Sequence, residues 1–270
     1  MLTISELFVY PVKSLGGISV SSAYVTERGL EHDRRWMLVD SKNRFMTQRE
    51  FPSLALLQVS IIEEGLQVMH KHNHSAFTIP FHPQTNSFIT VEVWSDTCKA
   101  QLVSEEADKW FSEMLSFPCR LVFMPDATRR RVDSRYAFNK EITSFSDGYP
   151  MLLIGQSSLD DLNNKLTESI SINRFRPNIV FTGGEPFEED ILEHFIINNI
   201  NFYGVKPCAR CVITTIDQKN AIKGREPLKT LASYRGYKNK IYFGQNLLHH
   251  GEGIIKVDDK IEVIKRKKEL

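Results

Sequence analysis

The feature that most constrains this chain is the run of short alternating or β-rich stretches that fills its first hundred residues. "ISELFVYPV", "ISVSSAYV", "RWMLVD", "LALLQVSII" and "FITVEVWS" follow one another with Gly, Asn and Pro turns between them. Each reads as a strand, by alternation or by β-rich composition. "SEEADKWFSEMLS" breaks the pattern: Ser104 is placed to cap a helix, and Trp110, Phe111, Met114 and Leu115 share one apolar face. The second half opens on a long polar stretch, "ATRRRVDSRYAFNKEITSFSDGYP". A buried strand, "MLLIG", and a helix, "SSLDDLNNKL", capped by Ser157 or Ser158, come next. Then come "NIVFTG", "FIINNINFYGV", "RCVITTID", "KIYFGQNLL" and "GIIKVDDKIEVI", all expected as strands. Strands do not alternate regularly with helices, so the doubly wound nucleotide-binding pattern is excluded. The expectation is a mainly β chain with a few helices (α+β), containing a β-barrel, with a break between two parts near residues 120–135.

The net charge of +1 lends no support to a nucleic-acid partner, although a basic local pocket is compatible with it. No stretch approaches the ~18 continuous apolar residues of a membrane helix, and the N-terminus lacks the pattern of a signal peptide. Four cysteines, Cys98, Cys119, Cys208 and Cys211, are too few for a disulfide framework. A reducing cytoplasmic location is therefore expected.

Two of those cysteines stand in "KPCARC". Three readings stay open on local grounds. A structural zinc site needs four ligands, and the nearest histidines, His70, His72 and His74, stand in what reads as an exposed hairpin turn. A redox dithiol opens a helix after a strand, whereas the β-branched "VITTI" makes Cys211 the expected start of a strand. The third reading is two small core residues.

Cationic and hydroxyl groups gather near predicted turns. "YPVKSLGG" places Lys13 and Ser14 ahead of two glycines, a pattern that suits a close-lying phosphate. "HDRRW" places Arg34 and Arg35 at a strand start, where alternation turns one of the two inward toward an anion or a carboxylate partner, and "NRFRPNIV" places Arg174, Arg176 and Asn178 around the start of another strand, with one face expected to point into a cleft. Arg210 adjoins Cys211 and would favour its thiolate if the two were close. Asp147 stands before a tight turn at the mouth of "MLLIG", and Arg129–Arg131 reads as a solvated basic run open to an acidic partner. Phosphate-loop, nucleophile-elbow and zinc-protease signatures are absent. Residue chemistry alone thus ends at a β-rich protein with a candidate thiolate metal site and several arginines fit for an anionic ligand.

Seven strings occur here in order: "YPVKSLGG", "GLEHDRRWMLVD", "FSDGYPMLLIG", "NRFRPNIV", "KPCARCVITTID", "REPLKTLASYR" and "YFGQN". Together they resemble the molybdenum cofactor sulfurase C-terminal (MOSC) family, of the type of the bacterial YcbX-like proteins and the mitochondrial amidoxime-reducing component. The resemblance implies an N-terminal MOSC β-barrel domain over residues 1–125 and a MOSC domain over residues 126–266. It implies a molybdenum–molybdopterin cofactor, with Cys211 as metal ligand and Asp147 beside it as the second catalytic residue. Lys13, Ser14, Arg34, Arg176, Asn178 and Arg210 would hold the pterin and its phosphate. A thiolate suits a soft, sulfur-rich metal centre, and a phosphate accounts for scattered arginines in a chain of near-zero net charge. The implied activity is reduction of small N-hydroxylated compounds: hydroxylamines, N-hydroxylated bases and amidoximes. No iron–sulfur cysteine cluster and no pyridoxal-phosphate domain are present, so electrons are expected from a separate ferredoxin- or flavoprotein-type donor. Neither nucleic acid nor membrane is an expected partner. Gly148 stands where the mitochondrial relatives carry Thr, which leaves one pterin contact unassigned. The competing reading is a carrier of the cofactor, or of sulfur on a cysteine, in which Cys208 matters more.

Overall fold

The computed structural model describes residues 1–267 and is mostly β. Seven strands close into a barrel. They are β1 (Leu2–Val9), β2 (Met151–Gly155), β3 (Ile179–Thr182), β4 (Leu192–Ile197), β5 (Ile200–Ala209), β6 (Lys240–His250) and β7 (Lys260–Arg266). Around the barrel the order is β2, β3, β1, β7, β4, β5, β6 and back to β2. Only β2 and β3 run parallel, and the helix Gln156–Asn163 lies in the connection between them. A parallel pair needs such a crossover, and the antiparallel neighbours do not. Closure leaves the barrel without an edge to protect. Its interior is filled by Ile4, Leu7, Phe181, Phe195, Phe202 and Leu247, all fully buried. A register shift between Ile4 and Glu6 turns Leu7 inward in β1.

The first strand of the chain thus belongs to a barrel built otherwise from the second half. The rest of the first half folds beside it. Trp36–Val39, Arg120–Phe123, Asp96–Leu102 and Phe88–Val93 form one antiparallel sheet, and Leu57–Ile62, Gly65–His70 and Ala76–Pro80 a three-stranded meander. The helix Glu105–Leu115 covers the core between them through Ala107 and Phe111. Ser104 caps that helix as expected, accepting from the Ala107 N–H.

Several predicted strands differ. "FIINNINFYGV" is a hairpin, because Asn198 and Asn199 both take left-handed backbone angles (φ 46° and 65°). That is the demand of a two-residue turn, which Asn meets readily. "ISVSSAYV" and "GIIKVDDKIEVI" each divide into two strands with different partners. Neither serine caps the helix after "MLLIG": Gly155 holds the cap position, Ser157 Oγ donates to Gly184 O, and Ser158 Oγ to Glu189. The stretch "VITT" is one turn of 3-10 helix, not a strand. Its two threonines account for this: Thr214 and Thr215 hydroxyls donate back to Cys211 O (3.0 Å) and Val212 O (2.8 Å). They satisfy carbonyls that a sheet partner would otherwise have to satisfy.

Candidate functional site

A cleft opens where the segment after β1, the turn before Trp36, the loop before β2, the approach to β3 and the end of β5 meet. Lys13, Ser14, Arg34, Asp147, Arg176, Asn178, Arg210 and Cys211 all line it. Arg174, Arg35, the Arg129–Arg131 run and the three histidines do not. Arg174 pairs with Asp217, and Arg35 with Asp126 and Met124 O. His70, His72 and His74 stand at a hairpin turn, and among the described residues no group of three or more His, Cys, Asp and Glu could hold a metal. The four-ligand zinc reading therefore has no ligand set there.

Alternation along strands is not what aims the arginines. Arg34 and Arg176 sit outside strands, at left-handed backbone positions (φ 50° and 55°), and Ser14 shares that geometry (φ 70°). Such angles cost free energy in non-glycine residues and persist where the surroundings enforce them. Ser14 O accepts from Gln48 Nε2 (2.6 Å), Arg34 N donates to Tyr10 O (2.8 Å) and Arg176 Nη1 to Leu15 O, while the Arg34 side chain is held by Asp33, a buried residue the sequence reading does not single out. Its carboxylate accepts from Tyr10 N (2.9 Å), Arg34 Nη1 (2.6 and 2.8 Å) and Asn178 Nδ2 (3.0 Å). Burial raises the Asp33 carboxyl above its ordinary range, against the pull of Arg34. Tyr10, also unforeseen, lies between the two guanidinium groups, each 4.3 Å from its ring centroid. Gly17 is the residue that lets that ring in: a Cβ there would stand 2.3 Å from Tyr10 Cε1. The glycines of "KSLGG" thus serve packing in this turn, not approach to a ligand.

Asn178 is fully committed to protein. Its amide donates to Asp33 and to Phe8 O (3.2 Å), and its carbonyl accepts from Arg34 Nη1 (3.1 Å) and Leu152 N (3.2 Å). Two donors and two lone pairs exhaust a carboxamide, so Asn178 is a strut that aims Arg34. Arg176 and Arg210 differ. Arg176 Nη1 donates to Leu15 O (2.6 Å), but its Nη2 is buried with no partner. Arg210 Nη2 donates to Phe175 O (2.6 Å), and its Nε is likewise unpaired. Arg49, a lining residue the sequence reading does not single out, stacks on Trp94 at 4.3 Å and leaves Nε without a partner. Burial, with Arg34 close by, pulls Arg176 down to about 10. Unpaired buried N–H groups are costly, and three on one cleft are what a phosphate-bearing ligand would satisfy.

At the cleft mouth Lys13 Nζ donates to Asp147 Oδ1 (2.6 Å) and Phe145 O (2.7 Å). Lys13 is buried, and that burial lowers it to about 8 even though Asp147 opposes the shift. Partial desolvation works to raise the Asp147 carboxyl, but the Lys13 ammonium and the Trp94 indole N–H (3.2 Å) hold it well below the usual carboxylate range. The Asp147 side chain is 65% exposed, so Lys13 outweighs desolvation there. The backbone of this loop is pinned by Arg130, whose guanidinium donates to Ser144 O (3.0 Å), Ser146 O (2.5 Å) and Asp147 O (3.2 Å). The middle arginine of the expected solvated run is therefore a buried clamp, while Arg131 is exposed. Beside Asp147, a Cβ on Gly148 would meet nothing within 4 Å.

Cys208 is the last residue but one of β5 and Cys211 precedes the 3-10 turn; both are free and half-buried. The pair therefore spans a strand end and a helical turn, which removes the strand-start objection to a dithiol. Arg210 adjoins Cys211 in sequence, but its Nη1 donates to Cys208 Sγ (3.1 Å). Cys208 also packs against the core of Phe175 and Phe243.

Two family models match: the MOSC N-terminal beta barrel domain over residues 1–118 and the MOSC domain over residues 140–262. Mitochondrial amidoxime-reducing component 1 of Mus musculus is 30% identical over 97% of this chain and 82% of its own length. The Homo sapiens protein of that name is 31% identical over 97% and 83%. Molybdenum cofactor sulfurase of Oryza sativa subsp. japonica is 29% identical over 89% of this chain, but over only 32% of its own length.

Proposed function

The chain belongs to the MOSC family, and from that premise we propose that it binds a molybdenum–molybdopterin cofactor and reduces small N-hydroxylated compounds. The observation that carries the reading is the convergence of a free thiol, Cys211, with the unpaired N–H groups of Arg176 and Arg210 in one cleft. When bound, the cofactor would supply the two-electron redox chemistry needed to cleave an N–O bond. The net change is cleavage of that bond with uptake of two electrons and two protons, leaving the reduced nitrogen compound and water. The electrons come from a separate donor.

The chain's own residues divide the remaining work. Cys211 offers the thiolate ligand. Arg176 and Arg210 hold the phosphate, and Arg34, fixed by Asp33, Asn178 and Tyr10, presents its charge beside them. Lys13 and Asp147 hold a proton at the mouth: a Lys13 ammonium titrating near 8 can give one up close to neutral pH, and the Asp147 carboxylate stays ionised to orient it.

The test is elemental and pterin analysis of protein from a cofactor-competent host, beside Cys211→Ala and Cys208→Ala. Molybdenum near one per chain in the wild type and Cys208→Ala, lost in Cys211→Ala, is the expected result. No molybdenum in the wild type would sink the reading. The Arg210–Cys208 contact favours a second one, a carrier that holds sulfur on Cys208. It predicts persulfide formation that Cys208→Ala abolishes.

A further inference from the structure

Exposed aliphatic side chains stand just beyond Cys211 in the chain. Val212, the next residue, is 51% exposed, and Ile222 is 64% exposed. Between them the chain makes a tight hairpin: Ile216 bridges Lys223, Asp217 N donates to Ile222 O (2.9 Å), and Gly224 N donates to Thr215 O (2.9 Å). The hairpin is anchored to the first half of the chain. Lys223 Nζ donates to Arg49 O (2.8 Å), Lys71 Nζ to Gln218 O (2.6 Å), and Gln48 and Gln218 bond each other. It is therefore a rigid platform, joined to the cleft through Arg49 on one side and Cys211 on the other.

Its charge is one-sided. Lys219, Lys223, Arg225 and Lys229 are all exposed. Among the described residues none of the four has a carboxylate partner. Of the acids lining the adjoining groove, Asp217 is occupied by Arg174 and its own turn amides and Glu226 by Thr230 N (3.0 Å), which leaves the exposed Glu168 as one free carboxylate against the four cations. A groove of about 900 Å³ runs alongside, lined in part by Asn220, Ile222, Arg225 and Lys229. Exposed aliphatic side chains beside cations that lack a carboxylate partner suit a partner that carries an apolar spot inside an acidic rim.

We propose that this platform is the docking surface for the electron donor, and that the donor is a small acidic redox protein. The inference rests on the reductase reading above and adds the partner's chemistry and its place. Docking on Val212 and Ile222 sets the carrier's redox centre against the turn that begins at Cys211, so electrons enter along the segment that holds the thiolate. Each N–O bond cleaved consumes two electrons. A one-electron carrier therefore docks twice per turnover, and solvent supplies the two protons. The cationic ring steers association, and that steering weakens as salt rises.

The experiment pairs calorimetric titration of the full chain with an acidic plant-type 2Fe–2S ferredoxin and two assays of N-reduction, one driven by that ferredoxin and one by reduced methyl viologen. The variants are the triple K219E/R225E/K229E and, separately, I222D. Ferredoxin affinity is expected to fall at least about tenfold in the triple variant, with a flatter salt dependence. Ferredoxin-driven turnover falls with it, and viologen-driven turnover stays unchanged in both variants. Undetectable ferredoxin binding to the wild type, or binding that the triple variant leaves intact, overturns the docking surface. Loss of binding in the variants with no viologen-driven N-reduction in the wild type keeps the surface and overturns the reductase reading instead.

Discussion

At the residue scale Asp33 decides the site more than any residue that faces it. One buried carboxylate fixes the backbone of Tyr10, the guanidinium of Arg34 and the amide of Asn178. Removing it leaves Arg34 without its counter-charge and two donors without an acceptor. Asp33→Ala is expected to lower unfolding free energy by about 3 kcal/mol, the lower end for breaking a buried pair, because Arg34 can still turn to the cleft. Urea denaturation measures this, and a cost below about 1 kcal/mol would show that Asp33 is not the anchor. The sequence places Asp33 beside Arg34 in "HDRRW", and a carboxylate next to an inward arginine is a readable sign of a partner. Its bond to Asn178, 145 residues away, is not readable, because nothing local encodes it.

At the element scale the short helix Glu188–Ile191 carries a buried acid that the site does not use. Glu189 is fully buried, with Ser158 Oγ on one oxygen and no partner on the other. Burial raises its carboxyl to about 7 from the ordinary 4.5, against the pull of the Ser158 bond. The folded state thus holds this proton more tightly than the unfolded chain does. Its stabilising contribution is complete below pH 4.5 and is lost as pH rises toward 7. Glu189→Gln, which imitates the protonated form, should match the wild type near pH 4.5 and exceed it by up to about 3 kcal/mol at pH 8. Denaturation series at the two pH values check the sign, and equal stability at pH 8 would refute it. The elements themselves are legible where a short apolar or β-rich run has clear bounds, as in "MLLIG" and "KIYFGQNLL". They were misread where turn chemistry hid inside an apolar run, as at Asn198–Asn199 and Thr214–Thr215.

At the scale of the whole molecule the cleft belongs to neither half. Lys13 meets Asp147, Trp94 meets Asp147, and Arg34 meets Asn178 across the divide. The barrel is shared as well, since β1 pairs with β3 and β7. Residues 126–266 expressed alone would lack β1 and expose two unpaired edges. They are expected to associate or to remain partly unfolded by size-exclusion chromatography and circular dichroism. A monomeric, cooperatively unfolding fragment would contradict the shared barrel.

The sequence by itself determined the β class, the buried strands and the kinds of chemistry available: a thiol pair, cations for an anion, and an acid at a turn. These follow from alternation, composition and residue type, which act over a few neighbouring positions. Only the tertiary structure decided which groups converge and which remain free. It saturated Asn178, turned Arg130 into a clamp, gave Arg210 to Cys208 and left N–H groups of Arg176 and Arg210 unpaired. Those outcomes depend on barrel closure between distant strands and on left-handed backbone at Ser14, Arg34 and Arg176. That conformation is held by long-range bonds against local preference, so no local pattern announces it.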